Sequence, residues 1–178
     1  MAWTFLMTLP GVPLIYCGDE LGMQGAGDPD NRLPMLFGAS LSLEQQETLE
    51  HVRALGLVRQ AHEALRRGVR QQLQMDADGL FWAYSLKDGG DVCVVAFNRT
   101  ASAQTRSVSV SALGVADGVV FEEALGGATS AVAGGILELE GRLPEARPGG
   151  PARRRDALGG AVHTETPSAQ PQLLHVRS

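Results

Sequence analysis

The apolar period of this chain changes once, at Gly68, and that change dictates two kinds of structure in series. Before it, Leu49, Val52, Leu55, Val58, Ala61 and Leu65 recur at intervals of three or four, which puts them on one stripe of an amphipathic helix of about six turns. Ser42 and Gln45 stand at capping-box spacing ahead of the stripe, so each side chain can satisfy the other's backbone amide. Arg66 and Arg67 fall in the last turn, where cations suit the helix dipole, and Gly68 is expected to leave in the left-handed conformation.

From Val69 the period is two. Residues 71–75, 80–86, 92–98, 107–110, 119–125 and 136–140 read as strands, separated by Gly- and Asp-rich turns. Short strands at this spacing predict an antiparallel sandwich or a partly closed barrel. Leu80, Trp82, Tyr84 and Leu86 share one face of a strand and Phe81 and Ala83 the other. A Trp-Tyr stripe can stack on sugars, but at strand spacing it reads as core. Beyond residue 140, Pro, Gly, Ala and Arg dominate. Such a stretch buries too little to offset about 1–2 kcal/mol per residue of backbone ordering, so residues 141–172 are expected to be a mobile tail. Residues 173–176 are the only late strand candidate.

The N-terminal stretch carries the chemistry. Residues 2–9 read as the last turns of a helix that Pro10 ends. Residues 12–16 are an apolar run without alternation, as in a strand buried on both faces. Residues 18–32 form a polar loop with four glycines and the series Asp28-Pro29-Asp30-Asn31-Arg32. Asp19 and Glu20 are adjacent, and neighbours in extended chain point to opposite sides. They therefore cannot converge on one bond as a paired acid and base. Their expected role is to brace the loop by bonding backbone amides or an arginine. Asp28 and Arg32 offer an acceptor and a donor fork across a turn, suited either to vicinal sugar hydroxyls or to one another.

The run from Leu9-Pro10-Gly11-Val12-Pro13-Leu14-Ile15-Tyr16 through Gly18-Asp19-Glu20, Gly22-Met23 and Gly27-Asp28-Pro29-Asp30-Asn31-Arg32 resembles the eighth barrel strand, and the loop after it, of the α-amylase family of glycoside hydrolases (family 13). Residues 42–140 resemble, by pattern, that family's last barrel helix and C-terminal β-sandwich. The resemblance implies an α+β chain: the remnant of a (β/α)8 barrel in residues 1–68, with one strand and one long helix, then an all-β domain in residues 69–140 and a low-complexity, disordered tail in residues 141–178. It implies retaining hydrolysis or transfer at α-glucosidic bonds of starch-like glucans. The family's catalytic carboxylates lie on its fourth, fifth and seventh barrel strands, so no catalytic residue is expected in this chain. In the family the Asp-Pro-x-x-Arg loop borders the donor-side subsites, which implies substrate contact for Asp28 and Arg32. A carbohydrate-binding module and a structural fragment that oligomerises are the alternatives.

A formal charge of −5, with no dense basic patch, argues against nucleic acid as a partner. No window reaches the ~20 apolar residues of a membrane span, and no basic leader precedes the apolar N-terminus. The chain as it stands is thus expected to be cytoplasmic. Cys17 and Cys93 read as two buried free thiols. Asp28, Asp30 and Asn31 do not continue into a calcium-loop series, and His51 and His62 are too far apart for a helical metal pair. No metal or cofactor is expected. An α-glucan or maltooligosaccharide is the expected ligand, with self-association through the two-faced strand at residues 12–16.

Overall fold

The computed structural model describes residues 1–100, 102–141 and 171–176. Helix α1, Ala2–Thr8, ends where expected: Leu9 is extended (φ −78°, ψ 143°), because the ring of Pro10 disfavours a helical residue before it. Helix α2, Leu43–Ala61, starts at the expected capping box. Gln45 N donates to Ser42 Oγ (3.2 Å) and Ser42 N to Gln45 Oε1 (2.9 Å).

The long helix is not continuous. His62 is extended (φ −108°, ψ 114°), and a separate one-turn helix α3, Glu63–Arg67, follows. The break is stabilised from outside the helix. Asp91 accepts from Ala64 N at 2.9 Å through one carboxylate oxygen and from His62 Nδ1 at 2.9 Å through the other. Arg66 reaches back to the carbonyls of Arg59 and Gln60, covering the open C-terminal end of α2. Gly68 also departs from expectation, with φ −63° rather than a left-handed value. Its role is close approach: a Cβ there would collide with the backbone of Ala64.

Eight strands follow among the described residues. In chain order they are β1 Val69–Met75, β2 Phe81–Asp88, β3 Asp91–Asn98, β4 Gln104–Ser109, β5 Val120–Glu123, β6 Thr129–Ala131, β7 Ile136–Gly141 and β8 Gln172–Val176. A six-stranded antiparallel sheet runs β1-β2-β3-β8-β5-β6, and β4 and β7 pair as a second sheet. The late strand candidate at residues 173–176 is borne out, and the expected tail needs correction at both ends, since Gly141 belongs to β7. Gln172–Val176 is an interior strand, hydrogen-bonded to β3 on one side and β5 on the other. The rest of that expectation, residues 142–170, lies outside the described residues.

The pleat sorts the core into two layers. Phe81, Ala83, Val92, Val94, Ala96 and Leu174 face the small sheet, meeting Val108, Leu137 and Leu139. Tyr84, Leu86, Cys93, Val95, Phe97 and Leu173 face the helices, meeting Met7, Val52, Leu55, Ala64 and Leu65. Trp82 joins this second layer, partly buried, so the aromatic stripe is core as its spacing implied. Trp82 and Phe97 stack at 5.8 Å, and the Arg70 guanidinium lies over the rings of Trp82 and Tyr84. Among the described residues no helix is long and apolar enough to cross a membrane.

Candidate functional site

Residues 12–16 form no strand. Val12 is 96% exposed and Leu14 85%. Two physical reasons account for the departure from the expected buried strand: Pro13 cannot donate to a ladder, and no described strand pairs with this segment. The segment is held at its start, where Gly11 N donates to Arg66 O (3.1 Å), and at its end by the loop that follows.

That loop is built on a short 3-10 turn, Asp19–Leu21, entered through Gly18 at φ 87° and left through Gly22 at φ 64°. Asp19 Oδ2 accepts from Tyr16 N (3.1 Å), so Asp19 ties the turn to the extended segment. Leu21 is buried and anchors the turn on α2. Glu20 points another way: its Oε2 is buried without a hydrogen-bond partner. A Cβ at Gly18 would strike the side chain of Met23, so the glycine serves both conformation and packing.

A second 3-10 turn, Asp30–Arg32, carries Arg32, and Asp28 lies just ahead of it. Arg32 Nη2 and Asp28 Oδ2 form an ion pair at 2.7 Å, with both side chains more than 60% exposed. An exposed pair of this kind contributes only about 0–1 kcal/mol to stability. A cleft of about 240 Å³ opens beside it, lined by Tyr16, Cys17, Asp19, Asp30, Asn31 and neighbouring residues. Asp28 and Arg32 are not part of that lining. In sequence Asp30 and Asn31 suggest a calcium loop that does not continue, and Asp30 also lies in the loop that resembles a substrate edge. Their polar side chains on the turn were the available signal for a hydrogen-bonding role.

Cys17 is exposed rather than buried, its Sγ 3.8 Å from Met35 Sδ, whereas Cys93 is buried. Both are free thiols. Burial pushes the Cys93 thiol pKa well up, and the Asp91 charge adds to the effect. Asn98 opens the triplet Asn98-Arg99-Thr100, which has the form of a glycosylation acceptor, but it is buried, and its side chain bonds Thr100 and the carbonyl of Ser102.

No protein-family profile matches the chain. It is 32% identical over 114 residues to a cyclomaltodextrinase of Geobacillus thermopakistaniensis, which covers 64% of this chain and 19% of that protein. It is 34% identical over 104 residues to a beta/alpha-amylase of Paenibacillus polymyxa, covering 58% of this chain and 8% of that one. The chain thus spans a fifth or less of these relatives. In fold it is similar to the α-amylase of Geobacillus thermoleovorans solved with acarbose, with a TM-score of 0.70, 20% identity, and coverage of 99% of this chain and 32% of the other.

With few helices and antiparallel sheets, the chain is similar to the C-terminal domains of α-amylases. The relatives it matches in part are starch-acting enzymes, and together with the solved α-amylases they support a partial fragment of the α-amylase family of glycoside hydrolases (family 13).

Proposed function

We propose that this chain is the C-terminal part of a glycoside hydrolase acting on α-glucosidic bonds of starch-like glucans, and that by itself it binds sugar without cleaving it. The exposed Asp28–Arg32 pair carries the reading. Fixed to each other at 2.7 Å, the two groups keep further guanidinium donors and a second carboxylate oxygen for sugar hydroxyls. The solved neighbour with acarbose supports an oligosaccharide as the ligand class. The boundaries that go with this reading are a barrel remnant in residues 1–68 and an all-β unit from residue 69, which takes in Gln172–Val176.

Affinity electrophoresis through soluble starch, with maltoheptaose calorimetry, tests the proposal. Retarded migration that Asp28→Ala and Arg32→Ala abolish is the expected result. Unretarded wild-type protein, or variants that bind equally well, would sink it.

A structural role through self-association is favoured by a separate observation. Val12, Leu14, Tyr16 and Phe37 are all exposed, and the three in residues 12–16 lie on one extended stretch of chain, an apolar exposure that favours association. Light scattering at tens of micromolar should show species larger than a monomer, and a well-behaved monomer would remove this second reading.

A further inference from the structure

Four chemistry-bearing side chains converge where the helix breaks, remote in sequence from the Asp28–Arg32 loop. His62 sits at the break itself, Asp91 and Cys93 lie on β3, and His175 is the ladder partner of Cys93 on β8. One ligand atom from each of His62, Asp91 and Cys93 lies within 4.8 Å of the other two. The rings of His62 and His175 are 4.5 Å apart, and Glu122 on β5 pairs with His175 from the far side.

The burial of these groups is graded. Cys93 is fully buried, His62 and Asp91 have side chains 17% and 28% exposed, and His175 is half-buried. An ion can therefore approach past His62 and Asp91 and meet the sulfur at the bottom. Asp91 is also pre-positioned, because Ala64 N holds its second oxygen (2.9 Å).

We propose that His62, Asp91 and Cys93 form a binding site for a zinc-class divalent cation, with the fourth position facing His175. The donor set of one imidazole nitrogen, one carboxylate oxygen and one thiolate suits a borderline-soft ion with tetrahedral preference. Donor atoms around zinc stand roughly 3.4 Å apart, given bond lengths of about 2.0–2.3 Å. The 4.8 Å envelope therefore closes with side-chain adjustments of about 1 Å. His62 Nδ1 and Asp91 Oδ1, now sharing a proton at 2.9 Å, would both turn to the ion, the imidazole proton moving to Nε2. The Cys93 thiol loses its proton to solvent as the metal–sulfur bond forms, so one proton is released per ion. A buried thiol such as this is inert as a nucleophile, which favours a structural site joining the α2–α3 break to the sheet.

Chelator-treated full chain titrated with Zn²⁺ and Co²⁺ tests the site. One equivalent should bind with Kd below about 1 µM and raise the melting temperature. Co²⁺ should give a thiolate-to-cobalt charge-transfer band. Cys93→Ser should abolish that band and weaken binding by at least about 10–100-fold, the loss typical even of an outer-shell partner. Where Cys93→Ser does not fold, His62→Gln, at a side chain 17% exposed, should weaken binding by a similar factor. Cys17→Ser and His51→Gln should leave band and affinity unchanged. No saturable 1:1 binding, or a band that survives Cys93→Ser and disappears in Cys17→Ser, would overturn the proposal.

Discussion

Arg59 on α2 donates through Nη1 to the carbonyl of Met7 at 2.7 Å, joining two helices 52 residues apart in the chain. The same guanidinium bonds the carbonyls of Leu9 (2.9 Å), Leu65 (2.7 Å) and Gly11. It thereby satisfies the end of α1, the segment after it and the end region of α3. Arg59 is only 7% exposed, and burial first, then the Arg66 charge, lowers its pKa.

Replacing this side chain strands several carbonyls at once, each costing about 1–3 kcal/mol where water does not reach it. Arg59→Met should lower the unfolding free energy by about 3 kcal/mol, read from urea denaturation at unchanged slope. Arg59→Lys should recover less than half, because a single ammonium cannot reproduce the planar fork. A loss under about 0.5 kcal/mol for Arg59→Met, the usual size for surface changes, would show the hub to be redundant.

Strand β8 supplies Leu173 and Leu174, one to each layer of the core, both at least 97% buried. Burying two leucines contributes about 3–6 kcal/mol, against a typical total of about 5–15 kcal/mol. Ending the chain after Gly141 should therefore abolish cooperative unfolding in circular dichroism. Adding a peptide of residues 171–178 should restore part of it. A truncated chain that melts like the intact one would refute the placement of β8.

Burial first, and the α-amino group second, lower the pKa of His51 in the folded chain. The unfolded chain then binds more protons near the unperturbed pKa of about 6.5, so stability rises with pH through that region. Unfolding free energy should fall as pH drops from about 7.5 to about 5.5, and the fall should be shallower in His51→Gln. Identical slopes in the two proteins would assign the dependence to other groups.

Hydrolysis of a glycosidic bond needs two carboxyl groups held across it. Asp19 is committed to Tyr16 N and Asp28 to Arg32. The purified chain is expected to leave starch, maltooligosaccharides and cyclodextrins intact, measured by reducing-sugar release. Turnover at ~1 s⁻¹ or above, the ordinary enzyme range, in preparations free of host amylase would contradict this.

Local chemistry was legible in the sequence wherever local chemistry decides structure. Ser42 and Gln45 cap α2 because both partners lie within one turn. Pro10 ends α1 because its ring acts on the adjacent residue. The faces of β2 sort as its alternation implies, since the pleat is a property of the strand itself. The Asp28–Arg32 pair was legible for the same reason: four residues across a turn bring a carboxylate and a guanidinium together. Tertiary structure decided the rest. Residues 12–16 and Val92–Phe97 are both apolar runs without alternation, yet only the second is a strand, because pairing depends on neighbours remote in sequence. The stripe on α2 runs past His62 unbroken, but Asp91 of β3 stabilises the break there. Residues 173–176 read as a strand from their own apolar pattern, but where that strand goes was not local: β8 takes its place because β3 and β5 leave two unpaired edges between which it fits.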